Sequence, residues 1–149
     1  MKSFTLGTPE TAYVPPSKLP IYDQDLYERE SEIIGRIADS VNIVVVGRGG
    51  IQALRDHPRA VHVFLHAPRE FRVRRLMRVL DISDEKTARL RIEESDDQRN
   101  KFFRKMMGLE WTDARNYHLC MDTSKTGLAE AGEMIVSLIG NEQKVKETS

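Results

Sequence analysis

The sequence predicts an α/β fold, a parallel sheet flanked by helices, and two observations carry that reading. Asn42-Ile43-Val44-Val45-Val46-Gly47 and Ala60-Val61-His62-Val63-Phe64-Leu65-His66-Ala67 are apolar, β-branched runs with little polar alternation. That is the pattern of strands covered on both faces in a parallel sheet. Around them, apolar residues recur at steps of three and four, the spacing of one helix face. Segments of the two kinds alternate along the chain, as they do where helices cover a parallel sheet.

Taken in order, residues 1–21 are rich in Pro, Thr and Ser, and Pro15, Pro16 and Pro20 block regular helix, so this stretch is expected to be an extended arm. Leu26, Ile33, Ile34 and Ile37 then mark a helix over about 24–39, with Asp25, Glu28 and Glu30 near its N-terminal end, where the dipole favours acidic groups. The first strand ends in Gly47-Arg48-Gly49-Gly50, and Ile51 to Arg55 form a short helical turn. After the second strand, Pro68 suits the start of a helix that turns Phe71, Leu76, Met77 and Val79 inward. Ser83 is the expected N-cap of a long helix to about 107, with a stripe of Ala88, Ile92, Ser95, Arg99, Phe102 and Met106. Tyr117 to Met121 is a third strand, and Gly127 to Ile139 a final amphipathic helix. The tail over 140–149 is polar and expected to fray.

The 149 residues suffice for one domain with a real core. Lys plus Arg and Asp plus Glu both number 23, so net charge argues for neither nucleic acid nor a membrane surface. The single cysteine, Cys120, allows no intramolecular disulfide and no cysteine zinc knuckle, and its place within a strand marks it as a small buried hydrophobe. The first residues hold no apolar run of signal-peptide or membrane length, so a cytoplasmic location is expected.

The arginine-rich helix is the strongest chemical signal. Arg72, Arg75 and Arg78 recur at three-residue steps, so each is a surface neighbour of the next. Just after a strand's C-terminal end, the first two face the crevice where open α/β sheets take ligands. Guanidinium forks match phosphate oxygens; the alternative is a solvated basic face paired with Glu85, Glu93 and Glu94. Asp96 and Arg99 form an i, i+3 pair, and Arg99, on an inward stripe, needs a carboxylate or a ligand as partner. Arg48 is a long cation at another strand's end. No Lys-Ser/Thr step completes a G-x-x-x-x-G-K-[ST] loop, and the four histidines show no convincing metal-ligand spacing, so no metal ligand is assigned. Trp111 and Tyr117 bracket a loop that is either a packing anchor or a stacking surface.

VVVGRGGIQALRD (44–56), VFLHAPREFRVRRLM (63–77), DISDEKTARLRIEESDDQR (81–99) and WTDARNYHLCMDTSKTG (111–127), read in order, resemble the cytidylate-kinase-like family of nucleotide kinases over about residues 22–139. The resemblance implies a P-loop nucleoside-monophosphate-kinase fold that transfers phosphoryl from ATP, with Mg, to an acceptor such as CMP. It implies that Arg72 and Arg75 are catalytic, at the start of a lid spanning about 72–110. Arg48, Asp96 and Arg99 would bind the acceptor. The implied partner is a nucleoside monophosphate or other phosphorylated small molecule. A chain with several arginines and no nucleophile fits chemistry done by positioning and charge stabilisation.

The family's first strand and P-loop have no counterpart before Asp23, which implies a truncated, split or degenerate kinase with no ATP or Mg held by this chain alone. A non-catalytic module for a phosphorylated ligand or a protein partner is the alternative. In the resembled fold the lacking strand lies between those at Ile43 and at Val61. The expectation is that the gap is filled by the arm around Phe4 to Leu6, by a second copy in a homo-oligomer, or by a complementing chain; otherwise the two strands pair directly.

Overall fold

The structure, a computed structural model, describes residues 3–6, 24–47 and 49–147, with side chains over 24–47 and 49–140. It is α/β. β1 (Ser3–Leu6) precedes α1 (Gln24–Ser40), β2 (Asn42–Val45) and the short α2 (Gly50–Ala53). β3 (Val63–His66), α3 (Arg69–Leu80) and α4 (Glu85–Phe102) follow, then a π turn (Phe103–Met107) and a 3-10 turn (Ala114–Asn116). β4 (Leu119–Asp122), α5 (Thr123–Thr126) and α6 (Leu128–Glu147) end the chain.

The strands form two parallel pairs rather than the single three-stranded sheet expected. β1 lies along β2 with Phe4 opposite Ile43 and Leu6 opposite Val45, so part of the proline-rich arm is strand and occupies an edge of β2. The remainder of the arm lies outside the described residues. β3 lies along β4 with Phe64 opposite Cys120. The strands at Ile43 and Val61 do not pair with each other among the described residues.

Cover on both faces of each strand, as the sequence suggested, is not what is found. Val44 and Val46 are 56% and 50% exposed while Ile43 and Val45 are half-buried, so β2 is covered on one face only. Leu65 of β3 is likewise exposed. A two-stranded sheet offers too little surface to seat helices on both sides. Cys120 is exposed, because the covered face of β4 is the one carrying Met121. β4 begins two residues later than expected, since the His118 ring intrudes on the ladder. His118 N–H donates to the His62 carbonyl at 2.8 Å, but His62 N–H donates to His118 Nδ1 at 2.9 Å instead of to a carbonyl.

Helix faces also differ in detail. α1 buries Tyr27, Ile34 and Ala38, leaving Leu26 and Ile33 exposed. Its Tyr27 ring fits closely over Gly49, where a Cβ would stand 2.6 Å from Tyr27 Cε2. α3 turns Val73 inward with Leu76 and Met77, while Val79 stays on the exposed side. Val73 is clasped by Ala88 and Ile92 of α4, and this trio with Ile82 pins the two helices together. Asp81 closes α3 in the left-handed region at φ 51.

The cap of α4 is Asp84, not Ser83. Its carboxylate accepts from the Lys86 and Thr87 amides at 3.3 and 2.9 Å. A carboxylate answers the helix dipole better than a neutral hydroxyl does. Those Thr87 bonds hold the Asp84 carboxyl below its usual range. α6 continues to Glu147 through the tail expected to fray, with Ala131 buried and Leu128, Met134, Val136 and Ile139 exposed. No helix among the described residues is long and apolar enough to cross a membrane.

Candidate functional site

The α3–α4 contact sets the site. Val73 is fixed against Ala88 and Ile92, so the neighbouring Arg72 is presented at the same seam. On α4, Asp96 lies one turn beyond Ile92 and Arg99 nearly two, continuing the core stripe outward. Arg72 Nη1 donates to both oxygens of Asp96, at 3.0 and 2.8 Å. Arg99 Nη1 donates to Asp96 Oδ1 at 3.0 Å, and its Nη2 to Ser95 Oγ at 2.9 Å. One carboxylate therefore holds two guanidiniums that arrive from different helices. The side chains of Arg72, Asp96 and Arg99 are 34%, 25% and 33% exposed, so all three remain open to an incoming solute.

The cluster is tied to the end of β3. Arg72 Nε donates to the Ala67 carbonyl at 3.2 Å, just past the strand's C-terminal end, where open α/β sheets take ligands. The Arg99 guanidinium lies 5.1 Å from the Trp111 ring centroid, a cation–π distance. Trp111 stands edge-on to Phe64 of β3, Phe64 stacks on Tyr117, and the Tyr117 hydroxyl donates to the Trp111 carbonyl at 2.6 Å. The loop is thus an anchor that also backs Arg99. Within it, the Arg115 guanidinium holds the Asp113 carboxyl down to about 2.

The remaining cations are used differently. Arg69 meets Glu93 at 3.3 Å, as a solvated basic face would. Glu85, however, is taken by Arg89 of its own helix, which also grips Glu70. The Arg89 hydrogen bond holds the Glu70 carboxyl below the usual range. Arg75 is half-buried and has no partner among the described residues, which leaves its donors free beside Arg72. Arg78 is exposed one turn further on. Arg48 lies outside the described residues.

Of the predicted residues, the structure therefore brings Arg72, Asp96 and Arg99 together and leaves Arg75 alongside. The i, i+3 pair of Asp96 and Arg99 was legible; the link from Asp96 to Arg72, 24 residues away, has no local signature. Arg99 finds the carboxylate that its inward position demanded. Chemically, the arrangement is a pair of planar donors already holding one anion, with a third arginine uncommitted.

The model of the cytidylate kinase-like family matches residues 9–125, which include α1 through β4 and the whole arginine cluster. A solved structure, that of an uncharacterized protein from Eubacterium ventriosum ATCC 27560, is similar at 26% identity with a TM-score of 0.68. The likeness covers 81% of this chain and 68% of that one. No curated protein matches the chain.

Proposed function

Since the chain belongs to the cytidylate kinase-like family, we propose that its arginine cluster receives the phosphate of a nucleoside monophosphate and steadies it during phosphoryl transfer from ATP. The observation that carries this reading is the shared carboxylate: Arg72 and Arg99, from two helices, converge on one anion at 2.8–3.0 Å. A phosphate presents more oxygens than a carboxylate and takes bidentate donors in the same plane.

In this reading Arg72 and Arg75 act on the transferring phosphoryl group, while Arg99, Asp96 and Arg48 address the acceptor. Phosphoryl transfer spreads negative charge over the equatorial oxygens, and guanidiniums fixed beforehand stabilise it without reorganising. Residues of about 72–110 serve as the lid that brings these cations over the acceptor.

The glycine-rich loop that cradles the donor's terminal phosphates comes from outside these 149 residues, because no G-x-x-x-x-G-K-[ST] pattern occurs among them. No three His, Cys, Asp or Glu among the described residues group to hold a metal ion. Magnesium would reach the site on its nucleotide.

Calorimetric titration with CMP, inorganic phosphate and ATP-Mg tests the proposal. The chain is expected to prefer the monophosphate or the simple anion, and Arg72→Ala or Arg99→Ala to weaken that binding by roughly tenfold or more, the worth of a charge-assisted bond. Mg-dependent ATP binding tighter than CMP binding, or arginine variants that bind CMP normally, would overturn it.

A further inference from the structure

We propose that His118 is a pH-operated latch: a proton on its Nδ1 opens the start of the β3–β4 ladder and slackens the Trp111 loop behind Arg99. The latch is built where the ladder begins. His62 N–H donates to His118 Nδ1 at 2.9 Å, while the His62 carbonyl accepts from the His118 and Leu119 amides at 2.8 and 3.3 Å. A side chain 56 residues away thus takes the place that a backbone carbonyl holds in an ordinary ladder.

That bond fixes where protons sit on the ring. Nδ1 accepts, so a neutral His118 carries its hydrogen on Nε2, and Nδ1 is the one nitrogen left to take a second proton. The proton and the His62 amide therefore compete for the same lone pair. Once Nδ1 carries hydrogen, two donors face each other across 2.9 Å and the bond is lost. Imidazole is the side chain that makes this exchange between about pH 5 and 8. The closed latch binds fewer protons than the open one, so it holds at neutral pH and yields as pH falls.

The surroundings direct the proton to His118. Its ring lies on that of His62, with centroids 5.2 Å apart and planes 18° from parallel. Charging both rings would set like charges face to face, and burial already holds the His62 pKa down, so the first proton goes to His118. From the turn after α2, the Leu54 backbone bonds His62 and brings no charge. His57, in the same connection, is committed to Asp39 at 3.5 Å and to the Arg59 amide. On the other side, burial, with Cys120 beside it, holds the Tyr117 pKa up. Among the described residues, no carboxylate, lysine or arginine pairs with either ring.

The consequence passes along the chain. Tyr117 directly precedes His118 and stacks on Phe64 at 5.0 Å. Its hydroxyl ties down the Trp111 carbonyl at 2.6 Å, and the Trp111 ring backs the Arg99 guanidinium at 5.1 Å. Releasing His118 removes the anchor on which Tyr117 depends for its place. The expected effect on an anion is opposite in sign to that of simple charge: an added imidazolium attracts anions, whereas a slackened Arg99 holds them less well.

Hydrogen exchange on the full chain at about pH 5 and about pH 7.5 tests the latch without any ligand. The protection factor of the residue-62 amide is expected to fall by roughly tenfold or more at the lower pH, the worth of a hydrogen bond lost and a donor opposed. His118→Asn sets an oxygen where Nδ1 stands and has no proton to gain, so its protection should not change with pH. His62→Phe keeps a ring against His118 and should leave the pH dependence in place. Equal protection at both pH values in the native chain, dependence that persists in His118→Asn, or dependence that vanishes in His62→Phe would overturn the proposal. If His118→Asn fails to fold, the imidazole nitrogen shifts of the native chain decide, and a His118 Nδ1 still unprotonated at the lower pH rejects it. Sulfate keeps one charge over this range, and its affinity, read by Trp111 emission, should be several-fold weaker at the lower pH in the native chain alone. Tighter sulfate binding there would overturn the link to Arg99. The sulfate arm rests on the proposed anion site and the exchange arm does not, so the two readings fail separately.

Discussion

Replacing Asp96 by asparagine preserves the shape of the side chain and removes its charge, with opposite effects on stability and on ligand affinity. Asp96 accepts from Arg72 at 2.8 and 3.0 Å and from Arg99 at 3.0 Å, and all three side chains are a quarter to a third exposed. Such a cluster lies between surface pairs, worth ~0–1 kcal/mol, and fully buried ones, where breaking a pair costs ~3–5 kcal/mol. Asp96→Asn should therefore destabilise the fold by ~1–2 kcal/mol, or roughly 3–6 °C in Tm for a chain of this size.

Affinity should move the other way. A phosphate held by the same two guanidiniums would sit about 5 Å from the Asp96 carboxylate, where like unit charges repel by ~1 kcal/mol in water and ~3 kcal/mol at an effective dielectric of 20. Even the lower figure makes phosphate binding roughly fivefold tighter once the carboxylate is gone. Trp111, the sole tryptophan, lies 5.1 Å from the Arg99 guanidinium, so its emission serves as the titration signal. Weaker phosphate binding by Asp96→Asn would refute the reasoning, because it would mean that the carboxylate organises the arginines more than it opposes the ligand.

Three further outcomes are expected. Val73 is 1% exposed and clasped by Ala88 and Ile92, so Val73→Ala should cost ~2–3 kcal/mol through lost burial and the cavity left behind, read as a lower urea midpoint at constant m. Gly49 sits at φ +64 with Tyr27 Cε2 2.6 Å from any added Cβ; Gly49→Ala should cost ~2 kcal/mol or more, from left-handed strain of ~1–2 kcal/mol plus the collision, and an unchanged Tm would contradict the close approach. Burial first, and then the neighbouring His118, push the His62 pKa down, against a hydrogen bond to the Leu54 backbone. The unfolded chain then binds a proton that the folded one refuses, so stability is full above about pH 6.5 and falls as pH drops below it. Urea midpoints that are equal at about pH 5.5 and about pH 7.5 would count against this.

What the sequence disclosed was local. The α3 and α4 segments and the Asp96–Arg99 pair are readable because helical spacing alone makes those residues neighbours. The cap was misplaced by one residue because Ser83 and Asp84 are both competent, and only the bonds to Lys86 and Thr87 decide between them. Arg72–Asp96 and Arg99–Trp111 depend on how α3, α4 and a loop fold over the end of β3, and no periodicity encodes that. The uninterrupted runs at Val44 and Leu65 read as doubly covered strands because hydrophobicity reports what a strand can bury; Val44, at 56% exposed, shows that cover depends on what lies alongside.

The π turn at Phe103–Met107 determines where the chain can lose length. Such a turn closes its backbone bonds one residue wider than an α-helical turn, so it stores a surplus residue between α4 and Gly108. Deleting one residue there allows the segment to rewind as ordinary helix and still reach Trp111. Deleting Glu94 instead rotates everything after it by about 100° about the helix axis and swings Arg99, together with Asp96, away from Arg72, so the two guanidiniums no longer converge. Two chains of equal length should thus part company in a phosphate titration, the first retaining the anion site and the second losing it.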